Sequence, residues 1–124
     1  MAILGVPDIT AYLRVAVPFT YVANEFASGN PDDCAYVRMS GGYAPSEWTS
    51  KRRPAFQVLV RAKSPAKATQ IADAIFEDLA SKNEFYFGST RIVKSRANQS
   101  SPIYLGKDAN DRTMFSLNFT LTTI

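Results

Sequence analysis

At 124 residues, 46% apolar and 20% charged, the chain has the proportions of one folded domain, too polar to span a bilayer and too apolar to stay disordered. It contains no histidine and a single cysteine, Cys34, which excludes Ser-His-Asp triads, Cys-His pairs, histidine metal sites and an internal disulfide. The formal net charge of +3 permits contact with nucleic acid without requiring it.

The start, Met1-Ala2-Ile3-Leu4-Gly5, lacks the basic and apolar regions of a signal peptide, so the expected compartment is a cytosol. Segment 7–15 predicts two helical turns, with Asp8 near the positive end, Ile9, Tyr12 and Leu13 on one side, and Pro18 as the stop. Segment 19–26 reads either as a short strand or as packed irregular chain. Turn formers crowd 28–33, and 34–39 then has the β-branched and aromatic content of a strand, with Cys34 a small, partly buried hydrophobe and Gly41-Gly42 ending the run. From Tyr43 to Arg53 neither the helical nor the strand period holds.

Segment 55–62 alternates, which places Phe56, Val58, Val60 and Ala62 on a core face and Ala55, Gln57, Leu59 and Arg61 on the other. Ser64 is a suitable N-cap and Pro65 loses no helical hydrogen bond at the first position. The helix that follows sets Ala68, Ile71, Ala72, Ile75, Phe76 and Leu79 on one face. Residues 81–84 are expected to close it, with Phe85, Tyr86 and Phe87 covering its end. Segment 91–97 reads as a strand, 98–102 as a polar loop, 103–106 as a strand or bulge, and 107–112 as a polar hairpin connection. Segment 113–122 alternates, turning Phe115, Leu117, Phe119 and Leu121 toward the core. The expected fold is α+β, a mostly antiparallel sheet of about four to five strands packed against one long and one short helix in a single domain.

Few residues offer chemistry. Gly41-Gly42 is followed by no Gly-Lys-Ser/Thr, so a structural turn is expected and not a phosphate loop. Asp108, Asn110 and Asp111 hint at a calcium loop, but Arg112 takes the next ligand position and no distal Glu completes it. The pairs Asp32-Asp33 and Glu77-Asp78 are adjacent, and neighbouring side chains diverge, so neither pair converges on a substrate. No catalytic, metal or cofactor site is predicted. Lys51, Arg52 and Arg53, joined by Arg91, Lys94 and Arg96, could neutralise phosphates with Trp48 or Tyr43 stacking on bases; the competing reading is a solvated loop and a charged outer strand face. Trp48 either folds back onto the core or anchors a protein interface.

One family combines these features in this order. The strand ending in Gly41-Gly42, the loop with Pro45, the segment Arg53-Pro54-Ala55-Phe56-Gln57-Val58-Leu59-Val60-Arg61-Ala62 and the helix over 66–79 resemble the tail terminator (tail completion) and minor capsid proteins of long-tailed bacteriophages. Pro102-Ile103-Tyr104-Leu105-Gly106-Lys107-Asp108 and Arg112-Thr113-Met114-Phe115-Ser116-Leu117-Asn118-Phe119 extend the resemblance, which is weakest before residue 34. It implies an α/β fold, no enzymatic activity, no cofactor and no membrane. It further implies a virion protein, assembled in the host cytoplasm, that forms a ring, typically hexameric, capping the tail tube and joining it to the head connector; passing contact with genomic DNA is a separate reading that the basic residues leave open. A ring built head to tail needs two different adhesive patches on each subunit. Tyr43, Pro45, Trp48, Lys51, Arg52 and Arg53 form the candidate for one of them. The rival readings are another neck or connector adaptor, and a nucleic-acid-binding module that uses loop 51–53 and strand 91–96 with Trp48, Tyr43 or Tyr104 stacking on bases.

Overall fold

In the computed structural model, which describes residues 4–44 and 47–124, the chain order is α1 (Val6–Ala16), β1 (Tyr21–Ala23), β2 (Cys34–Met39), β3 (Ala55–Ala62), α2 (Pro65–Leu79), β4 (Ser81–Phe87), β5 (Thr90–Ala97), β6 (Ile103–Lys107) and β7 (Thr113–Thr123). The strands form one sheet in the order β1-β2-β3-β7-β5-β4, with β6 also paired to β7. β1 runs parallel to β2, and every other pairing is antiparallel.

The described residues thus hold seven strands, more than the four to five expected, and the excess has physical causes. β1 is only three residues long, too short to show a period. β4 opens with Ser81-Lys82-Asn83-Glu84, polar because this is an outer strand exposed along much of its length, so its composition hid the pairing with β5 from Ser81↔Arg96 to Phe87↔Thr90. These residues do not merely close α2; the chain leaves the helix directly into a strand. Nor do the three rings cover the helix end: Phe87 is wholly buried, Phe85 packs on Tyr12 with ring centres 5.7 Å apart, and Tyr86 faces outward.

Both helices lie on one face of the sheet. Ser64 caps α2 by accepting the Lys67 amide through its hydroxyl at 3.3 Å, with Pro65 at the first position. Ala68, Ile71, Ala72, Ile75 and Leu79 are buried against Phe56, Val58 and Val60 of β3 and Leu117, Phe119 and Leu121 of β7. Phe76 and Phe115, placed in the core by periodicity, are only partly buried; Phe76 lies at the edge of the helix face, and Phe115 meets the Tyr104 ring at 5.6 Å. Each fully buried Leu, Ile or Phe contributes about 1.5–3 kcal/mol before entropy is subtracted. α1 adds Ile9 and Leu13 to the same core and ends at Ala16, two residues short of Pro18. Its Tyr12 hydroxyl donates to Asp78 of α2 at 2.7 Å and accepts from Lys82 of β4, tying three elements together.

The opposite face carries no helix. At one end it is covered by residues 24–33, the crossover that the parallel β1–β2 pairing requires. Arg61, assigned by alternation to the outer face, is only 4% exposed there. Its guanidinium donates to the carbonyls of Pro31 at 2.7 Å and Asp32 at 3.1 Å and lies 3.9 Å from the centre of the Phe26 ring. Beyond Arg61 a chain of hydrogen bonds crosses the strands. Arg38 donates to Gln57 at 2.8 Å, Gln57 to Ser116 at 2.8 Å, and the Asn118 amide to Ser116 at 3.3 Å and to Gln99 at 3.0 Å.

Gln99 does more than end that chain. β5 and β6 pair with the same edge of β7, but β5 stops at Ala97↔Phe119 and β6 starts at Ile103↔Ser116. Within the gap, Gln99 Oε1 accepts the Asn118 backbone N–H at 3.0 Å and Gln99 Nε2 donates to the Ser116 carbonyl at 2.7 Å. A side-chain amide therefore stands in for a backbone rung. Gln99→Ala removes both side-chain hydrogen bonds to β7 and is expected to lower stability by about 1–2 kcal/mol in urea unfolding. An unchanged midpoint would contradict this role.

Candidate interaction surface

β2 and β3 are antiparallel neighbours up to Met39↔Phe56, so residues 40–54 leave and re-enter the sheet at one place. The legs of the loop are fastened by backbone hydrogen bonds. The Ser40 amide donates to the Ala55 carbonyl at 2.8 Å and the Tyr43 amide to that of Arg53 at 3.0 Å. The returning leg extends β3 along β7: Arg52 and Thr123 exchange amide-to-carbonyl bonds of 2.9 and 2.8 Å, and the Leu121 amide donates to Pro54 at 2.8 Å. Gly42 sits where the legs are closest, with φ +84° and the place of a Cβ only 2.1 Å from the Arg53 carbonyl oxygen. No other residue fits there without opening the legs.

Above this base Trp48 is 91% exposed, which rules out its folding back onto the core. Tyr43 is 66% exposed, with the Arg53 guanidinium 5.5 Å from its ring centre. Lys51, Arg52 and Arg53 are all exposed, and Pro45 lies outside the described residues. Two depressions flank the loop. One, of about 750 Å³, lies between the loop legs, the β4–β5 turn and the chain end, lined by Met39, Tyr43, Arg52, Tyr86, Arg91 and Ile124 among others. The other, of about 380 Å³, lies on the open sheet face, where Lys51 and Arg53 meet Lys94 and Arg96 of β5 above Thr120 and Thr122 of β7.

The two basic clusters of the sequence thus converge, with two exceptions. Arg52 faces the first depression, and so does Arg91, whose guanidinium is held by both Glu84 carboxylate oxygens at 3.0 Å. A bulge makes the convergence possible. The register passes from Ile92↔Thr123 to Lys94↔Thr122, so Val93 is an extra residue on β5. Ile92 points into the core, and the bulge resets the alternation so that Lys94 and Arg96 both face outward while Ser95 turns inward and donates to the Leu79 carbonyl at 2.7 Å.

Of the other residues weighed for chemistry, Asp32, Asp33, Asp78, Asp108 and Asp111 have structural partners. Asp108 caps the β6–β7 turn, accepting the amides of Asn110 and Arg112 at 2.9 and 3.0 Å and the Arg112 guanidinium at 2.8 Å. Arg112 also reaches Asp32 at 3.3 Å. Cys34 is wholly buried, more than its sequence context suggested, and burial pushes its thiol pKa up, away from a reactive thiolate. Among the described residues no cluster of Cys, Asp and Glu has the arrangement to hold a metal ion. The roles of Gln99, Arg61 and the Tyr12–Asp78–Lys82 group leave no signal in the sequence, since only tertiary contact gives them partners.

A model of the bacteriophage tail terminator protein family matches residues 26–123. The chain belongs to this family. The match spans β2 through β7 and includes the whole loop, leaving α1 and β1 outside, which agrees with the weaker resemblance of the N-terminal segment. A tail terminator is a structural protein of the phage tail, so the chain is a virion component that associates with other virion proteins. No curated protein matches the sequence. In three dimensions this terminator is similar to a chain in the virion of a native gene transfer agent particle, with a TM-score of 0.60 over 91% of this chain and 84% of that one. At 16% identity that likeness is one of fold. No described helix is long and apolar enough to cross a membrane.

The base of the loop gives a direct test. Gly42→Ala is expected to cost about 1–3 kcal/mol in denaturant unfolding, because it combines a left-handed backbone with a carbonyl clash. Gly41, with φ +89° but nothing within 4 Å of its Cβ position, serves as the control, and Gly41→Ala is expected to cost less. Equal costs would contradict the close approach of the legs.

Proposed function

We propose that this tail terminator assembles as a ring, typically of six copies, which closes the end of the tail tube and joins it to the head connector. The observation that carries the reading is the 91% exposure of Trp48 on a loop braced against β7, in a chain of this family. Trp and Arg are enriched in protein interfaces, and a highly exposed Trp on a fastened loop that also carries Arg52 and Arg53 fits such a role. Of the residues expected in an adhesive patch, Trp48, Tyr43 and Arg52 form it in this account, while Lys51 and Arg53 line the hollow on the open sheet face.

A closed ring of head-to-tail contacts requires a second, different patch. β6 is suited to it. One of its edges is bonded to β7, and Ile103, Tyr104 and Leu105 are exposed at 45%, 59% and 46%. An apolar strand at a sheet edge invites pairing with another chain. The tail tube protein and the connector would then meet the two ends of the ring.

Light scattering over a concentration series tests the assembly. The expected mass approaches six times the 13.7 kDa chain, alone or on addition of tail tube protein, and Trp48→Ala is expected to shift it toward one chain. A single-chain mass under both conditions, or a variant that assembles like the wild type, would contradict the proposal.

A further inference from the structure

We infer that the smaller depression, on the open face of β5 and β7, binds the phosphodiester backbone of DNA through Lys51, Arg53, Lys94 and Arg96. The inference goes beyond the terminator reading and concerns the single chain, whatever ring it enters. Four cations brought from a loop and a strand far apart in sequence line one hollow of about 380 Å³, and no carboxylate is among its lining residues. The ion pairs of the described residues engage Lys82, Arg91, Lys107 and Arg112, and none of these four. Arg96 donates to the Ser95 carbonyl and Arg53 lies over Tyr43, so both guanidiniums are positioned with their charge uncompensated.

A concave surface of one sign focuses the field and collects counterions of the opposite sign. The Val93 bulge sets Lys94 and Arg96 side by side on the outer face, two residues and so about 6.6–6.8 Å apart along the strand. Thr120 and Thr122 form a hydroxyl-bearing floor directly across from them, in the pairs Arg96↔Thr120 and Lys94↔Thr122. A row of cations over hydroxyls suits a row of phosphates.

The lining also selects against the other class of anionic partner. It contains no Leu, Ile, Val or Ala side chain, and its one aromatic ring, Tyr43, is already occupied by Arg53. Protein interfaces take most of their affinity from buried apolar and aromatic anchors, which this hollow lacks. With that ring covered by Arg53, no free platform for stacking bases is offered, so the contacts are ionic and indifferent to sequence.

The test is fluorescence anisotropy of two labelled duplexes of unrelated sequence, from about 50 to 200 mM salt. Both duplexes are expected to bind alike, with log K falling against log salt at a slope of about −3 to −4 for four phosphate contacts. The double variant Lys94→Gln/Arg96→Gln should reduce affinity and flatten the slope by about 2, while Arg91→Gln, paired to Glu84 in the other depression, should leave both unchanged. These positions are exposed, and a far-ultraviolet spectrum and unfolding midpoint like those of the wild type confirm that the variants fold. Absence of salt-dependent binding at the lowest salt, or a double variant indistinguishable from wild type, would overturn the inference. Equal binding of a poly-glutamate peptide of the same charge would overturn it too, assigning the hollow to an acidic protein surface.

Discussion

β7 is hydrogen-bonded along both edges, and the remainder of the molecule is placed by that constraint. β3 occupies one edge from Thr113 to Thr120, and its backward extension through Pro54 and Arg52 carries the pairing to Thr123. β6, Gln99 and β5 share the other edge in succession. Because a strand's side chains alternate, this single element separates inside from outside: Leu117, Phe119 and Leu121 meet the helices, and Ser116, Asn118, Thr120 and Thr122 form the middle of the open face. The loop legs and the basic hollow are both attached to its last turnings.

An antiparallel sheet can leave one face to water, provided the groups on that face are satisfied there. Here the chain from Arg38 through Gln57, Ser116 and Asn118 to Gln99 meets that condition. Such a face needs no second layer to be stable. It can meet a polar partner at little cost, whereas Trp48 and β6 present apolar surface whose exposure is unfavourable until covered. The two kinds of surface therefore suit different occupants: subunits at the apolar patches, a charged polymer at the wet hollow.

Where local chemistry decides, the sequence was legible. Ser64-Pro65 marked the start of α2, and alternation located β3 and β7 and most of their core residues. β4 was missed because an outer strand needs no apolar alternation, and its pairing with β5 is known only once the turn at Gly88 is closed, where φ is +61°. Alternation gave Arg61 its observed face, but only the crossover above it makes that face an interior. The loop residues could be recognised as candidates by composition. That Lys51 and Arg53 meet Lys94 and Arg96, and that Arg91 does not join them, depends on the Val93 bulge and on Glu84, neither of which leaves a sequence signal.

The central functional claim is that Trp48, at the exposed end of the loop, is buried between subunits of the assembled tail. Hydroxyl-radical footprinting of the free chain and of purified tails addresses it most directly, because oxidation of tryptophan and tyrosine reports solvent access residue by residue. Trp48 and Tyr43 are expected to be strongly oxidised in the free protein and protected in the tail. Equal oxidation of Trp48 in both states would contradict the account, because a side chain that is 91% exposed in the free protein would then remain in water after assembly.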